Sequence, residues 1–255
     1  MKYKIDRLEL PPLEEVDLTN LDLSGGVGVM LPAYNEEENI ERAVKNSVEM
    51  LASFTDNYEV LVVNDASTDK TGRILEDMSR DNSHIRVVHH KKNLRLGGAI
   101  RTGFKESGKE IIFYCDSDSP VDMWDVKRVL PLMATYDLVA GYRLTREERF
   151  IRKVYSKTYN SIIRSLFGFK LTDINFSFKL IKKKVFENIE LHSNGGFIDA
   201  EFISEILRGG FRAAEVGVHY YPRATGESTM ASPSVILEIM AEMWKYYQRM
   251  KKGSS

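Results

Sequence analysis

Cysteine is nearly absent from this chain. Cys115 stands alone among 255 residues. That excludes an internal disulfide framework and a multi-cysteine zinc site, and it suits a reducing compartment. Long apolar runs are missing too. No stretch approaches the roughly 20 residues of a membrane-spanning helix, and the opening MKYKIDRLELPPLEEVD lacks the apolar core of a secretory signal. Charge of one sign is not in excess: 36 Lys and Arg face 37 Asp and Glu, a net −1. A basic body built for nucleic acid is therefore excluded, and no nucleic-acid partner is expected. No G-x-G-x-x-G follows a strand, and neither G-x-x-x-x-G-K-[ST] nor G-x-S-x-G occurs. Their absence argues against a dinucleotide oxidoreductase, a P-loop NTPase and a nucleophile-elbow hydrolase. The five histidines show no metal-ligand spacing and read as packed or solvated side chains.

What is present is globular. The chain is 43% hydrophobic and 29% charged, enough apolar material for one large domain or two small ones. Residues 1–26 are acidic and aperiodic and read as an extended arm. After them strands and helices alternate. Val27 to Leu31, Val60 to Val63, Ile85 to Val88 and Ile111 to Cys115 are short apolar runs of strand type. Between them lie helical periodicities: Ile40, Ala43, Val44, Val48 and Leu51, then Ile74, Leu75 and Met78, then Gly97 to Phe104. Asn35 with Glu38 suggests a capping box for the first helix, and Asp69 or Ser67 a cap for the second. Further on come strands at Leu138 to Ala140 and Ala214 to Val218, and helices at about 149–167, 198–207 and 233–251. Such alternation predicts a mostly parallel sheet with helices on both faces. Ligands of such sheets bind at the carboxyl ends of the strands.

Three strand ends carry chemistry. Asp116-Ser117-Asp118 follows an apolar strand. Paired carboxylates there suit Mg²⁺ or Mn²⁺, with phosphate oxygens completing the shell; a turn with a helix-capping Asp is the plainer alternative. Pro32-Ala33-Tyr34-Asn35-Glu36 offers a ring to stack on a base and a carboxylate for N–H or hydroxyl donors; it also reads as a simple helix entry. Asn64-Asp65-Ala66-Ser67 offers Asp65 as an acceptor for base or ribose, or an Asx-turn.

Together and in this order, the three clusters resemble family 2 glycosyltransferases of the GT-A fold. Gly141-Tyr142-Arg143, Phe150-Ile151-Arg152-Lys153, Asp173 with Ser177-Phe178-Lys179, and the R-x-x-G-x-S run from Arg223 to Ser228 narrow the resemblance. They resemble the branch making dolichyl- or bactoprenyl-phosphate sugars, the dolichyl-phosphate mannose synthase type. The resemblance implies a Rossmann-like GT-A domain over 27–231, preceded by an extension (1–26) and followed by an amphipathic helix and tail (232–255). It also implies roles. Pro32, Tyr34, Glu36, Val63 and Asp65 hold the nucleoside of a UDP- or GDP-sugar, with Asp116 and Ser117 at its diphosphate. Asp116 and Asp118 hold the metal, and Arg143, Arg152 and Arg223 bind phosphates, including that of a polyprenyl phosphate acceptor. Glu201 lies where hydroxyl-using relatives keep a base. The chain departs from the branch at Asn64, usually Asp; at Pro120, usually Gln; and at Thr229, often Lys.

The implied reaction is inverting transfer of a sugar to a lipid phosphate, at the cytoplasmic face of a membrane. A glycan or small-molecule hydroxyl acceptor, with Asp199 or Glu201 as base, and a non-catalytic nucleotide-binding scaffold are the alternatives. Two basic amphipathic helices fit attachment to an anionic bilayer surface. Arg143, Arg146, Arg149, Arg152, Lys153, Lys157, Arg164 and Lys170 outnumber Glu147 and Glu148 along the first. Ile236, Met240, Met243 and Tyr247 line one side of the second, ahead of Lys245, Arg249, Lys251 and Lys252.

Overall fold

The computed structural model describes residues 3–118, 121–144, 150–220 and 233–252. Its strands are β1 (Ile5–Leu8), β2 (Val27–Ala33), β3 (Tyr58–Asn64), β4 (Ile85–His89), β5 (Ile111–Tyr114), β6 (Leu138–Arg143), β7 (Lys179–Lys182) and β8 (Ala213–Val218). Its α-helices are α1 (Ile40–Ala52), α2 (Thr71–Asp81), α3 (Arg95–Glu106), α4 (Asp125–Val129), α5 (Phe150–Phe167), α6 (Lys183–Phe186), α7 (Ile198–Arg208) and α8 (Pro233–Lys252). The strands form one 8-stranded sheet in the order β1-β8-β6-β7-β5-β2-β3-β4. All neighbours are parallel except β7, which runs antiparallel to both β5 and β6.

Strands buried on both faces need apolar side chains on both. In β2, Val27, Val29, Leu31 and Ala33 enter one core while Met30 enters the other. The first core holds Ile40, Val44 and Leu75 from α1 and α2; the second holds Ile100, Ile163, Phe202 and Tyr246 from α3, α5, α7 and α8. The helices therefore cover both faces, as the alternating pattern predicts.

Three readings need correction. The segment before Val27 is extended, but it is not a free arm. Its Ile5–Leu8 pairs with Ala213–Val216 as a parallel edge strand, and Leu10, Leu18, Leu21 and Leu23 pack against the core. Asn35 does not cap α1. It takes the left-handed region at φ 55°, which Asn tolerates, and its Oδ1 accepts the Thr68 N–H at 2.8 Å. The apolar side expected for the last helix divides: Met243 is buried and Tyr247 packs on the core, whereas Met240 is 50% exposed.

Strand β7 is unanticipated because its first residue is a lysine. Lys179 is fully buried. Its ammonium donates to Phe176 O and to Asp199 Oδ1, both at 2.7 Å, and sits 5.4 Å from the Tyr114 ring centroid. Removing one partner of a buried pair strands the other charge. Lys179→Met is therefore expected to cost about 3–5 kcal/mol of unfolding free energy, and Lys179→Met/Asp199→Leu to recover most of it; urea denaturation checks both.

Candidate active site

The carboxyl ends of β2, β3 and β5 open into a cleft of about 770 Å³. Pro32 to Asn39 form one wall and Asp65 and Asp69 the next. Asp116, Ser117 and Asp118 lie at the end of β5. Asn93, Arg95, Leu96 and Ala99 come from the start of α3, Asn194 to Gly196 from the loop before α7, and Val235 and Glu238 from α8. Pro32, Tyr34, Glu36, Asp65, Asp116, Ser117 and Asp118 are thus brought together. Val63 is not at the surface of the cleft; it is fully buried in β3 beneath it.

The floor is stitched between two loops. The Asn35 N–H donates to Ser67 Oγ at 3.0 Å and the Glu36 N–H to Thr71 Oγ1 at 2.8 Å. Asp69 Oδ2 accepts the Glu37 N–H and Oδ1 the Thr71 N–H, while Glu37 Oε2 accepts the Lys70 N–H. Burial pushes the Asp69 carboxyl up, but the hydrogen bonds from Thr71 and Glu37 outweigh it and hold the group below the usual carboxylate range. Asn64 faces away from this space. Its Nδ2 lies 2.9 Å from His89 Nδ1 and its Oδ1 accepts the Ser67 N–H; the amide can donate to an unprotonated ring nitrogen, which a carboxylate cannot. Tyr34 stands half-exposed at the mouth. Asp65 is buried to 3% exposure; its Oδ1 accepts from His90 Nδ1 at 2.6 Å and from the Leu94 N–H at 2.7 Å.

The opposite rim went unread in the sequence. Arg101 donates to Ser193 O at 2.6 Å and to Asn194 Oδ1, the Gly97 N–H donates to Asn194 O at 2.9 Å, and Glu242 Oε1 accepts the Asn194 and Gly195 N–H groups. Arg95 pairs with Glu238 across the cleft. The Gly195-Gly196 pair ahead of Phe197 was the available signal for this loop.

Two expected site residues stand elsewhere. Glu201 is fully buried and absent from the cleft lining. Its oxygens accept the His192 and Ser193 N–H groups and pair with Arg249, so it braces the rim loop and does not face an acceptor. Arg143 lies outside the lining as well. Its Nε and Nη2 reach Asp173 Oδ2 and Oδ1 at 2.7 and 3.1 Å, and its guanidinium carbon lies 5.4 and 5.2 Å from the Phe176 and Tyr220 ring centroids. The Arg152 side chain, Pro120, Arg223 and Thr229 lie outside the described residues. Cys115 does no thiolate chemistry: it is fully buried, and burial, then the Asp116 and Asp118 charges, push its thiol well above the ordinary value.

The cleft is acidic. Among its described lining residues, Glu36, Glu37, Glu38, Asp65, Asp69, Asp116, Asp118 and Glu238 face Arg95 as the one cationic side chain. Such a site is hostile to a bare anion and receptive to a cation.

The profile of glycosyl transferase family 2 matches residues 28–190. The chain belongs to that family. Glycosyltransferase AglD of Haloferax volcanii is 31% identical over an alignment of 207 residues that covers 77% of this chain and 33% of AglD. The chain therefore spans about a third of the length of that relative. Glucosyl-3-phosphoglycerate synthase from Mycobacterium tuberculosis shares the fold. Its complex with phosphoglyceric acid superposes with a TM-score of 0.73 at 16% identity, covering 96% of this chain and 88% of that one. Its complex with Mn²⁺ and uridine-diphosphate-glucose gives 0.71 at 16%, with coverage of 96% and 88%. The α/β architecture expected of family 2, GT-A, is the one observed.

Asp116→Ala and Asp118→Ala remove charge from the end of a strand and leave its apolar body intact. Each is expected to lower turnover about 100-fold or more with little change in melting temperature. Turnover within a few-fold of wild type for both would take the pair out of the chemistry.

Proposed function

We propose that this chain is the catalytic unit of an inverting glycosyltransferase that moves a sugar from a nucleotide-sugar to a polyprenyl phosphate at a membrane surface. The observation that carries the reading is the placement of Asp116, Ser117 and Asp118 in one cleft with Tyr34, Glu36 and Asp65. Tyr34 offers its ring to the base, Asp65 and Glu36 accept from the nucleoside, and Val63 supports them from below. A UDP- or GDP-sugar is the expected donor.

The excess of carboxylates supports a divalent cation, since a diphosphate meets Arg95 alone among the described cations of the lining. Asp116 and Asp118 are the residues that would hold Mg²⁺ or Mn²⁺. Among the described residues no group of three His, Cys, Asp or Glu side chains gathers to hold an ion unaided, so the ion would also need oxygens from diphosphate or water. When bound, the ion offsets charge developing on the departing diphosphate. The complex of the mycobacterial synthase with Mn²⁺ and uridine-diphosphate-glucose fits this reading.

The two carboxylates expected as bases for a hydroxyl acceptor do not reach the cleft, which supports an acceptor that needs none. A hydroxyl must lose its proton to a positioned group. Asp199 is engaged by the fully buried Lys179 and Glu201 by Arg249 and two backbone N–H groups; neither lines the cleft. A phosphate monoester arrives largely ionised near neutral pH, with its second pKa about 6, and needs positioning only. Arg152 and Arg223 are the guanidinium groups expected for that phosphate; Arg143 is bound to Asp173 outside the lining. In-line attack then inverts the anomeric carbon.

Such an acceptor stays in its bilayer, and α8 offers a surface to meet it. Leu237, Met240 and Trp244 are 68%, 50% and 58% exposed and recur at helical spacing along one stripe. Exposed Lys245, Lys251 and Lys252 follow toward the end of the helix, where each contributes about 1 kcal/mol at an anionic surface. Val235 and Glu238 of the same helix line the cleft, so a bilayer against the stripe lies beside its mouth. No helix among the described residues is long and apolar enough to cross a membrane.

Turnover of UDP-, GDP- and dTDP-sugars with polyprenyl phosphate, compared with soluble hydroxyl acceptors, tests the reading. Expected is transfer to the lipid phosphate, lost on chelation of divalent metal. Transfer to soluble hydroxyls alone would move the chain to a glycan or small-molecule acceptor, and nucleotide binding without turnover would make it a scaffold. In liposome flotation, association is expected to rise with anionic lipid and fall with salt. Leu237→Ser/Trp244→Ser should weaken it about tenfold or more; no flotation at low salt would refute attachment by this chain.

A further inference from the structure

Asp65 meets the cleft with one oxygen only. Its Oδ1 is already held by His90 Nδ1 at 2.6 Å and by the Leu94 N–H at 2.7 Å. The far nitrogen of the same imidazole, Nε2, lies 2.9 Å from Thr102 Oγ1 on α3. The His90 and Asp65 side chains are 8% and 4% exposed, and His90 itself does not line the cleft. The ring is thus fixed at both nitrogens, between the end of β3 and the body of α3.

The chemistry of these contacts fixes the tautomer. A carboxylate oxygen only accepts, so Nδ1 carries a proton. A threonine hydroxyl donates or accepts, so it satisfies Nε2 in either charge state of the ring. The arrangement follows the same logic as the outer partner of a metal-ligating histidine, in which a second residue sets the orientation of the first. Here the oriented group is the carboxylate.

We infer that His90 is a positioning residue for donor recognition. It holds Asp65 in one rotamer with Oδ1 covered, so that Oδ2 alone is presented to an N–H or O–H of the nucleoside. This rests on the nucleotide-sugar reading above and deepens it. A single fixed acceptor favours ligands that bring a hydrogen-bond donor to that point, and it disfavours those that bring a lone pair, which leave a buried carboxylate oxygen unpaired. Without His90, the carboxylate is free to turn about its side-chain torsions, and ligand binding must then restrict it.

Two near-isosteric substitutions separate positioning from packing. Asparagine places an amide nitrogen near the Nδ1 position, facing Asp65; glutamine places one near Nε2, facing Thr102. Calorimetric titration with UDP and with GDP, each with Mn²⁺, is expected to give His90→Asn affinities within about threefold of wild type. For His90→Gln they should be weaker about tenfold or more, the loss of a hydrogen bond to a charged group. Melting temperatures of the two variants should be similar. Equal affinities for the two variants, or tighter binding by His90→Gln, would overturn the inference. If His90→Gln does not fold, the imidazole ¹⁵N shifts of the wild-type protein decide: a protonated Nδ1 supports the inference, and a ring protonated only on Nε2 refutes it. A wild-type protein that binds neither nucleotide refutes the nucleotide reading itself, an outcome distinct from both.

Discussion

The site depends on one ion pair placed where no water reaches it. Lys179 opens the antiparallel strand that separates the two parallel parts of the sheet, and in register it lies opposite Tyr114 at the end of β5. Its bond to Asp199 ties that strand to α7, the helix whose entry loop forms one rim of the cleft. The pair therefore joins the neighbour of the strand that delivers Asp116 and Asp118 to the helix behind the loop facing them. A buried pair adds little net stability compared with apolar residues of the same shape. What it adds here is registry: an ammonium with two acceptors at 2.7 Å has one satisfactory place, whereas an apolar side chain has several nearly equivalent ones.

Around that anchor, charge is distributed with a division of labour. The basic side chains near the cleft are mostly committed to holding backbone or carboxylates: Arg101 the rim loop, Arg249 Glu201, Arg143 Asp173. The carboxylates that remain on the lining give the cleft its negative character.

Much of this was legible in the sequence, and the reasons are physical. Strands β2, β3 and β5 are contiguous apolar runs because both of their faces are buried, and their ends are marked by abrupt polar clusters. Hence Pro32 to Glu36, Asp65 and Asp116 to Asp118 were found. What escaped has causes as specific. β1 reads Ile-Asp-Arg-Leu, a half-polar edge whose partner, β8, is some 200 residues away, so no local pattern announces it. β7 begins with a lysine that only a distant aspartate makes tolerable in a core. Glu201 has the sequence neighbourhood of a base, and only the fold reveals Arg249 beside it. His90 follows His89 in a stretch without periodicity, and nothing in composition distinguishes the ring that faces Asp65 from the one that faces Asn64.

The pair Gly97-Gly98 matches no phosphate-binding loop. Gly97 lies in the first turn of α3, and a Cβ there would come within 2.1 Å of Ser193 O. At this point helix and rim loop are in contact through backbone, with a hydrogen atom as the only spacer. Any side chain at 97 acts as a wedge, and it would be felt three residues farther on at Gly196, on the lining. The aperture of the cleft is thus calibrated by the smallest residue available, at a position outside its lining.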